Sequence, residues 1–377
     1  MIKKSSLLGT LFILVFSLNA NSQINDSIFN FVFTSDVHFG LIKEDFRGQK
    51  KIPAINVNEQ QVNAMNSLTS TIFPLDNGVS SNDSIHFVDA VVITGDITNR
   101  MEIGIQSATK SWEEFNQTYI KGVKLKKGDR ENSSLWLLPG NHDMSNAIGF
   151  HRPMSPLKDA ATMIGIYNLM FPEKSPLKSF EKDVMTIQYS KDEKGIHFIF
   201  LSMYPDSSAR VWMENDLKFV KNETPVLIFA HSIPEVEPRF FINPNGDHDI
   251  NEEDKFENLV SEMYKDSDSV KGSTLIEQRG FANFLKKHRN IKAYFHGHEN
   301  FTDYYNWEGP DHDISIPCFR ADSPMKGRLS AKDESKLAFE LITINAKSKR
   351  LTAREVLWNN TKKVDLIKWG KSITINL

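Results

Sequence analysis

Cysteine is nearly absent from this chain: Cys318 is the only one among 377 residues, so no disulfide can form within it. A protein of this length buries enough apolar surface to fold without one. Within Ile316-Pro317-Cys318-Phe319, the thiol reads as a small buried apolar side chain. The lack of cysteine motifs also argues against a structural zinc site. Neither sign of charge is in large excess. A formal net charge of -3 speaks against a broad basic surface for nucleic acid or anionic lipid, so phosphate recognition would have to be local. No apolar run reaches the ~20 residues that a membrane-spanning helix needs. Internal repeats and low-complexity linkers are missing too. With 40% hydrophobic and 25% charged residues, the composition is that of an ordinary globular protein.

The N-terminal residues have a pattern of their own. Lys3 and Lys4 precede an apolar run at residues 7–18, followed by Ala20-Asn21-Ser22 and polar Gln23. A basic, then apolar, then small-residue order is that of a secretory signal peptide, here residues 1–22, cut after Ser22 or after Ala20. A retained N-terminal anchor is the alternative, disfavoured by the short apolar run. No cysteine is near for lipid attachment. The expectation is a periplasmic or secreted protein without a stable membrane anchor, folded as one domain over residues 24–377. Oligomeric state is left open.

Five short apolar runs in the remaining chain stop at the same kind of residue. Residues 29–33 lead to Ser35-Asp36-Val37-His38, and residues 90–93 to Gly95-Asp96. Residues 135–138 lead to Gly140-Asn141-His142-Asp143, residues 226–229 to His231, and residues 291–295 to His296-Gly297-His298. Each run has the length and the β-branched or aromatic content of a buried strand. Sites in α/β sheets form at the carboxyl ends of strands, where loops converge. One such ending carries no information, but five would bring their side chains together. Helices are expected at residues 57–71, at residues 107–120 behind a Ser107 cap, and at 256–264 and 276–288. A hairpin is expected within residues 185–202, turning near Asp192-Glu193-Lys194-Gly195, with strands at 337–344 and 351–357. The alternation indicates a layered α/β fold. The stretches 41–83 and 234–289 read as insertions over the strand ends that shape a substrate pocket.

The residue types at those endings suit one chemistry. Hydrolysis of a phosphoester needs a hydroxide at neutral pH and cancellation of developing negative charge. Two divalent cations ~3.5–4 Å apart supply both, and they favour mixed carboxylate and imidazole ligands. Asp36, His38, Asp96, Asn141, His231 and His298 offer that mixture.

In order and spacing these elements resemble the signature series of the calcineurin-like metallophosphoesterases: D-x-H, G-D, G-N-H-D/E, a strand-end H, and G-H-x-H. Asp36-Val37-His38, Gly95-Asp96, Gly140-Asn141-His142-Asp143, Ala230-His231 and Gly297-His298 match in turn, over residues 29–300. The resemblance implies a β-sandwich of two mixed sheets flanked by helices. It also implies two metal ions (Mn, Fe, Zn or Mg) and a phosphoester substrate. Asp36 and His38 would hold the first metal, Asp96 would bridge, and Asn141, His231 and His298 would hold the second. A hydroxide bridging the metals would attack phosphorus in line. His142, beside the ligands but not among them, would protonate the leaving oxygen, with Asp143 orienting its ring.

The fifth element departs from the pattern. Asn300 stands where the family has a second histidine, which contacts the first metal. An amide oxygen is a harder and weaker ligand than imidazole, which points towards Mn or Mg in that position. Two registers fit the residues: Gly297-His298 as the family pair, or His296 with His298 as ligands. Two functions fit as well, a phosphoester hydrolase (mono- or diesterase) or a binding protein that kept the fold and lost the first metal. Asp247-His248-Asp249 and Asp311-His312-Asp313 follow no apolar run and read as solvated turns, and the acidic residues 251–254 as a helix start. His86, His151, His197 and His288 have no motif around them. Arg100 reads equally as a phosphate contact or a surface charge. Tyr304, Tyr305 and Trp307 read as packing or as pocket floor.

Overall fold

The computed structural model describes residues 27–99, 106–125, 134–145, 159–174, 176–179, 186–236, 275–359 and 367–377. The expected signal peptide, Arg100, His151, the cluster at 247–249, the acidic run 251–254 and the helix at 256–264 lie outside these residues.

Two six-stranded sheets face each other. In the first, β1 (Ile28–Thr34), β4 (Ala90–Thr94) and β5 (Ser134–Leu138) run parallel. Antiparallel β12 (Ala338–Asn345), β13 (Arg350–Leu357) and β14 (Lys368–Asn376) extend the other flank, giving the order β14-β13-β12-β1-β4-β5. The second has parallel β7 (Ile196–Phe200), β8 (Val226–Phe229), β9 (Ile291–His296) and β11 (Ile316–Arg320). Antiparallel edges β6 (Tyr189–Glu193) and β10 (Asp303–Trp307) close it, in the order β10-β11-β9-β8-β7-β6. A two-stranded ribbon, β2 (Ile42–Phe46) and β3 (Gln49–Pro53), stands apart. Every residue of β1, β4, β7 and β8 is buried. Both faces of these strands are covered, hence their near-continuous apolar sequences.

The period of two along each strand sorts side chains into an inner and an outer layer. Inside, one aromatic from each of five adjacent strands sits beside the next: Tyr189, Phe200, Phe229, Phe295 and Phe319. Their rings stack at centroid distances of 4.6, 4.9, 4.5 and 4.7 Å. From the facing sheet Phe29, Phe31 and Phe33 meet this layer, Phe33 edge-on to Phe295 at 5.3 Å. Each buried ring contributes roughly 1.5–3 kcal/mol through area, and each ring pair ~0.5–1.5 more. The outer face of the second sheet (Ile199, Ile228, Ala230, Tyr294, Cys318) packs with α5 (Ser207–Leu217) and α6 (Ile276–Lys287). Cys318 is buried there, as its sequence context suggested. The first sheet packs with α1 (Ala54–Ser67), α2 (Ala108–Phe115) and α4 (Ala161–Met170). Ser107 caps α2 by accepting a hydrogen bond from the Lys110 amide at 3.2 Å, which fixes that start.

The stretch 41–83 behaves as an expected cover only in part. Lys43 on β2 reaches the carbonyl of Pro324 at 2.8 Å, near the strand ends. Its later part is pinned elsewhere. Fully buried Arg354 on β13 pairs with both oxygens of Asp76 at 2.7 and 3.0 Å and with the Val79 carbonyl at 2.7 Å. A buried guanidinium needs such a fork of acceptors, so this loop covers the antiparallel half of the first sheet. Asp311 and Asp313 pair with Arg279 and Lys286 of α6, and His312 is exposed. No helix among the described residues is long and apolar enough to cross a membrane.

Candidate metal centre

The parallel strands of both sheets end at one edge of the sandwich, and the sequence motifs lie there. Asp36 and His38 follow β1, and Asp96 follows β4. Asn141, His142 and Asp143 open α3 (Asn141–Ser145) after β5. His231 follows β8, and His298 and Asn300 follow β9. Beyond the sheet the first two loops stay paired: the Asp36 amide donates to the Gly95 carbonyl at 3.0 Å and the His38 amide to the Asp96 carbonyl at 2.9 Å. The sheets are tied by His231, whose Nδ1 donates to the Thr94 carbonyl at 2.7 Å.

Backbone conformation aims these side chains. Asp36, His38, Asp96, His298 and Asn300 have φ of 54°, 43°, 50°, 70° and 58°. The left-handed region is unfavourable for residues with a Cβ, by ~1–2 kcal/mol each, and such strain collects at functional sites. Each turn reverses the strand's alternation and points the side chain across the edge instead of into the core. Gly297 shows how tightly the loops meet. A Cβ there would lie 1.9 Å from Ser35 Oγ and 2.4 Å from Asp36 Oδ2, so only glycine fits.

Asp96 lies at the centre. Its Oδ2 is 3.6 Å from His38 Nε2 and 3.8 Å from His142 Nε2, and its Oδ1 is 3.5 Å from His231 Nε2. Two trios have ligand atoms within 4.8 Å of one another, His38–Asp96–His142 and Asp36–Asp96–His231. Asp96 belongs to both. With Nδ1 of His231 donating to Thr94, its Nε2 faces Asn141 Oδ1 at 3.1 Å, His298 Nδ1 at 3.1 Å and Asp96 Oδ1. Each of these atoms can act as an electron-pair donor, and a proton or a cation among them satisfies the contacts. Asp36 Oδ1 is buried with no hydrogen-bond donor. Burial pushes Asp96 up to about 7, with Asp36 and Asp143 adding to the rise and His231 opposing it. Burial acts to lower the pKa of His231, yet Asp96 and Asp36 outweigh it and the net shift is upward. A desolvated group of carboxylates and imidazoles with unused acceptor atoms fits divalent cations.

Asp143, expected to orient His142, is buried and committed to the loops. Its Oδ1 accepts from the amide and hydroxyl of Thr98 at 2.8 and 3.2 Å, and its Oδ2 from the amides of Ile97 and Gly140 at 3.0 and 2.9 Å. It ties the β4 loop to the β5 loop. His296, the alternative ligand in a shifted register, is turned elsewhere: its Nε2 meets Tyr305 Oη at 2.9 Å and its Nδ1 the Gly297 carbonyl at 3.0 Å. Burial lowers its pKa to about 3, so it is a neutral packing and hydrogen-bonding residue. Asn300 uses its amide nitrogen on the His298 carbonyl at 2.9 Å, which leaves Oδ1, buried and without a donor, as the atom available to a cation.

One neighbour of the site has no sequence motif. Lys326, on the turn after β11, places Nζ 3.2 Å from His142 Nε2. Ser323 on the same turn donates from Oγ to the Asp36 carbonyl at 2.7 Å. Only the parallel pairing of β11 with β9 brings that turn to this edge.

A purple acid phosphatase from yellow lupin (Lupinus luteus) seeds superposes with a TM-score of 0.50 at 9% identity, over 93% of this chain and 54% of that one. A 5'-nucleotidase from Candida albicans gives 0.41 at 11% identity, over 85% and 48%. Vps29 from Chaetomium thermophilum gives 0.34 at 7%, over 92% and 98%. The lupin structure shares the fold, and this chain spans about half its length. No curated protein sequence matches. The family model of the calcineurin-like phosphoesterases matches residues 29–300, from β1 to Asn300. On that match, with every motif at its strand end, the chain belongs to the calcineurin-like phosphoesterase family.

Proposed function

We propose that this chain is an exported, metal-dependent phosphoester hydrolase with a two-metal centre. The observation that carries the reading is Asp96, whose Oδ2 is 3.6 Å from His38 Nε2 and whose Oδ1 is 3.5 Å from His231 Nε2, imidazoles that follow strands of opposite sheets. Asp36, His38 and Asn300 would hold the first cation, and Asn141, His231 and His298 the second, with Asp96 common to both. Bound cations would neutralise phosphoryl charge and acidify water. The chain's own groups do the rest. Thr94 holds the His231 ring in the tautomer that presents Nε2. Asp143 fixes the loop carrying His142. The His142 side chain is 15% exposed, against 3% for Asp96, so this imidazole borders solvent and can pass a proton to a leaving alkoxide. Export is inferred from the basic, apolar and small-residue order at residues 1–22.

The test is metal content and hydrolysis of bis- and mono-nitrophenyl phosphate by one purified preparation, with and without Mn. Two metals per chain and Mn-dependent turnover are expected. One metal or none, with no turnover under any metal, would replace this reading with that of a binding protein whose first site failed at Asn300.

A further inference from the structure

The turn after β11 is built to hold a cation at the mouth of the site. Ser323 Oγ, which donates to the Asp36 carbonyl, also accepts from the amides of Met325 and Lys326 at 3.2 and 2.9 Å. Lys43 Nζ ties the carbonyls of Pro324 and Met325 at 2.8 and 3.4 Å. The Arg328 amide donates to the Asn300 carbonyl at 2.7 Å, joining the turn to the loop after β9. The backbone that presents Lys326 is therefore fixed to two motif loops. Its side chain is partly buried, and its Nζ is 3.2 Å from His142 Nε2, which in turn is 3.8 Å from Asp96 Oδ2. An ammonium so placed lies on the side of the site where His142 stands.

Charge and geometry set what this ammonium can recognise. A phosphomonoester carries up to two negative charges and three terminal oxygens. A diester carries one charge and two terminal oxygens. If the cations organise two phosphoryl oxygens, the third is free only in a monoester. Lysine is a compact point charge suited to phosphate oxygen, and partial burial strengthens the attraction beyond that of an exposed lysine. We propose that Lys326 binds the third terminal oxygen of a phosphomonoester and thereby makes the site prefer monoesters over diesters. The inference rests on the hydrolase reading above.

The experiment compares wild type, Lys326→Met and Lys326→Arg in the Mn-loaded protein. It measures kcat and KM on mono- and bis-nitrophenyl phosphate, metal content, and inorganic phosphate affinity by titration calorimetry. Lys326→Met should reduce kcat/KM for the monoester by about 10–100-fold, the worth of one charged hydrogen bond. The monoester-to-diester ratio should fall at least ~10-fold with it. Phosphate should bind about 10-fold more weakly at equal metal content, and Lys326→Arg should restore most of the preference. An equal loss on both substrates, or phosphate affinity unaffected by Lys326→Met, overturns the inference. If wild type holds two metals but turns nothing over, the hydrolase reading fails, while phosphate titration still decides whether Lys326 binds phosphate.

Discussion

His142 and Asp143 are neighbours in the chain with separate surroundings. His142 borders solvent and Lys326, and Asp143 is buried among loop amides. His142→Ala should therefore lower kcat by about 100-fold, the usual contribution of a general acid, with metal content at the wild-type value. The loss should be largest for substrates with poor leaving groups, and a wild-type rate on such a substrate would remove the role. Asp143→Asn should act on stability instead. An amide nitrogen would replace an oxygen that receives two donors, leaving buried N–H groups unpaired at ~2–3 kcal/mol. The expected outcome is a fall of several degrees in Tm by circular dichroism. An unchanged Tm with a large drop in kcat would return Asp143 to orienting His142. The motif gave both positions in the sequence, but three of the four donors to Asp143 come from Ile97 and Thr98, 46 and 45 residues away, which no local pattern encodes. Lys326 was illegible for a related reason: its relevance depends on the register of β11 against β9, not on any flanking residues.

Among the elements, legibility followed burial. Strands closed on both faces (β1, β4, β8) appear as nearly continuous apolar runs. The hairpin of β6 and β7 turns at Lys194-Gly195, both at positive φ, within the expected segment. The ribbon of β2 and β3 turns likewise at Arg47-Gly48, but its strands are mostly exposed and polar, so nothing in the sequence announced it. Edge strand β14 is similar, with no fully buried residue, and Pro317 disguises β11. His197 on β7 shows a titrating link between elements. Its Nδ1 and Nε2 are each 2.8 Å from a carboxylate, Asp192 on β6 and Asp216 on α5. Burial alone would lower its pKa, but hydrogen bonds and charge from Asp216 and Asp192 prevail and the net shift is upward. Asp192 is 77% exposed and Asp216 only 19%, so Asp216 matters more. A folded-state pKa above the unfolded value of ~6.5 stabilises fully below that pH, and the benefit is lost as pH rises through the folded value. His197→Gln should thus lower the urea midpoint clearly at pH 5 and much less at pH 9. Equal losses at both pH values would show that the imidazolium does not matter.

At the scale of the molecule, one edge holds both sheets together through charge as well as packing. The carboxylates there are desolvated and repel one another. A cation that binds only the folded chain stabilises it by mass action, ~2.7 kcal/mol at a hundredfold excess over Kd. Calorimetric Tm should rise with Mn and fall on chelation, and Asp96→Asn should flatten the response. A full response in Asp96→Asn would place the cation elsewhere.

The left-handed backbone at Asp36, His38 and Asp96 has a consequence for any programme that breeds this protein for heat resistance. Glycine suits those positions better than any residue with a Cβ, by about 1 kcal/mol each. Where no metal is supplied, selection on survival of the fold alone would reward glycine there, and the first variants to endure heat would be the ones that had surrendered their ligands. Hardiness and chemistry are opposed at the same Cα atoms, so a screen must ask for both at once.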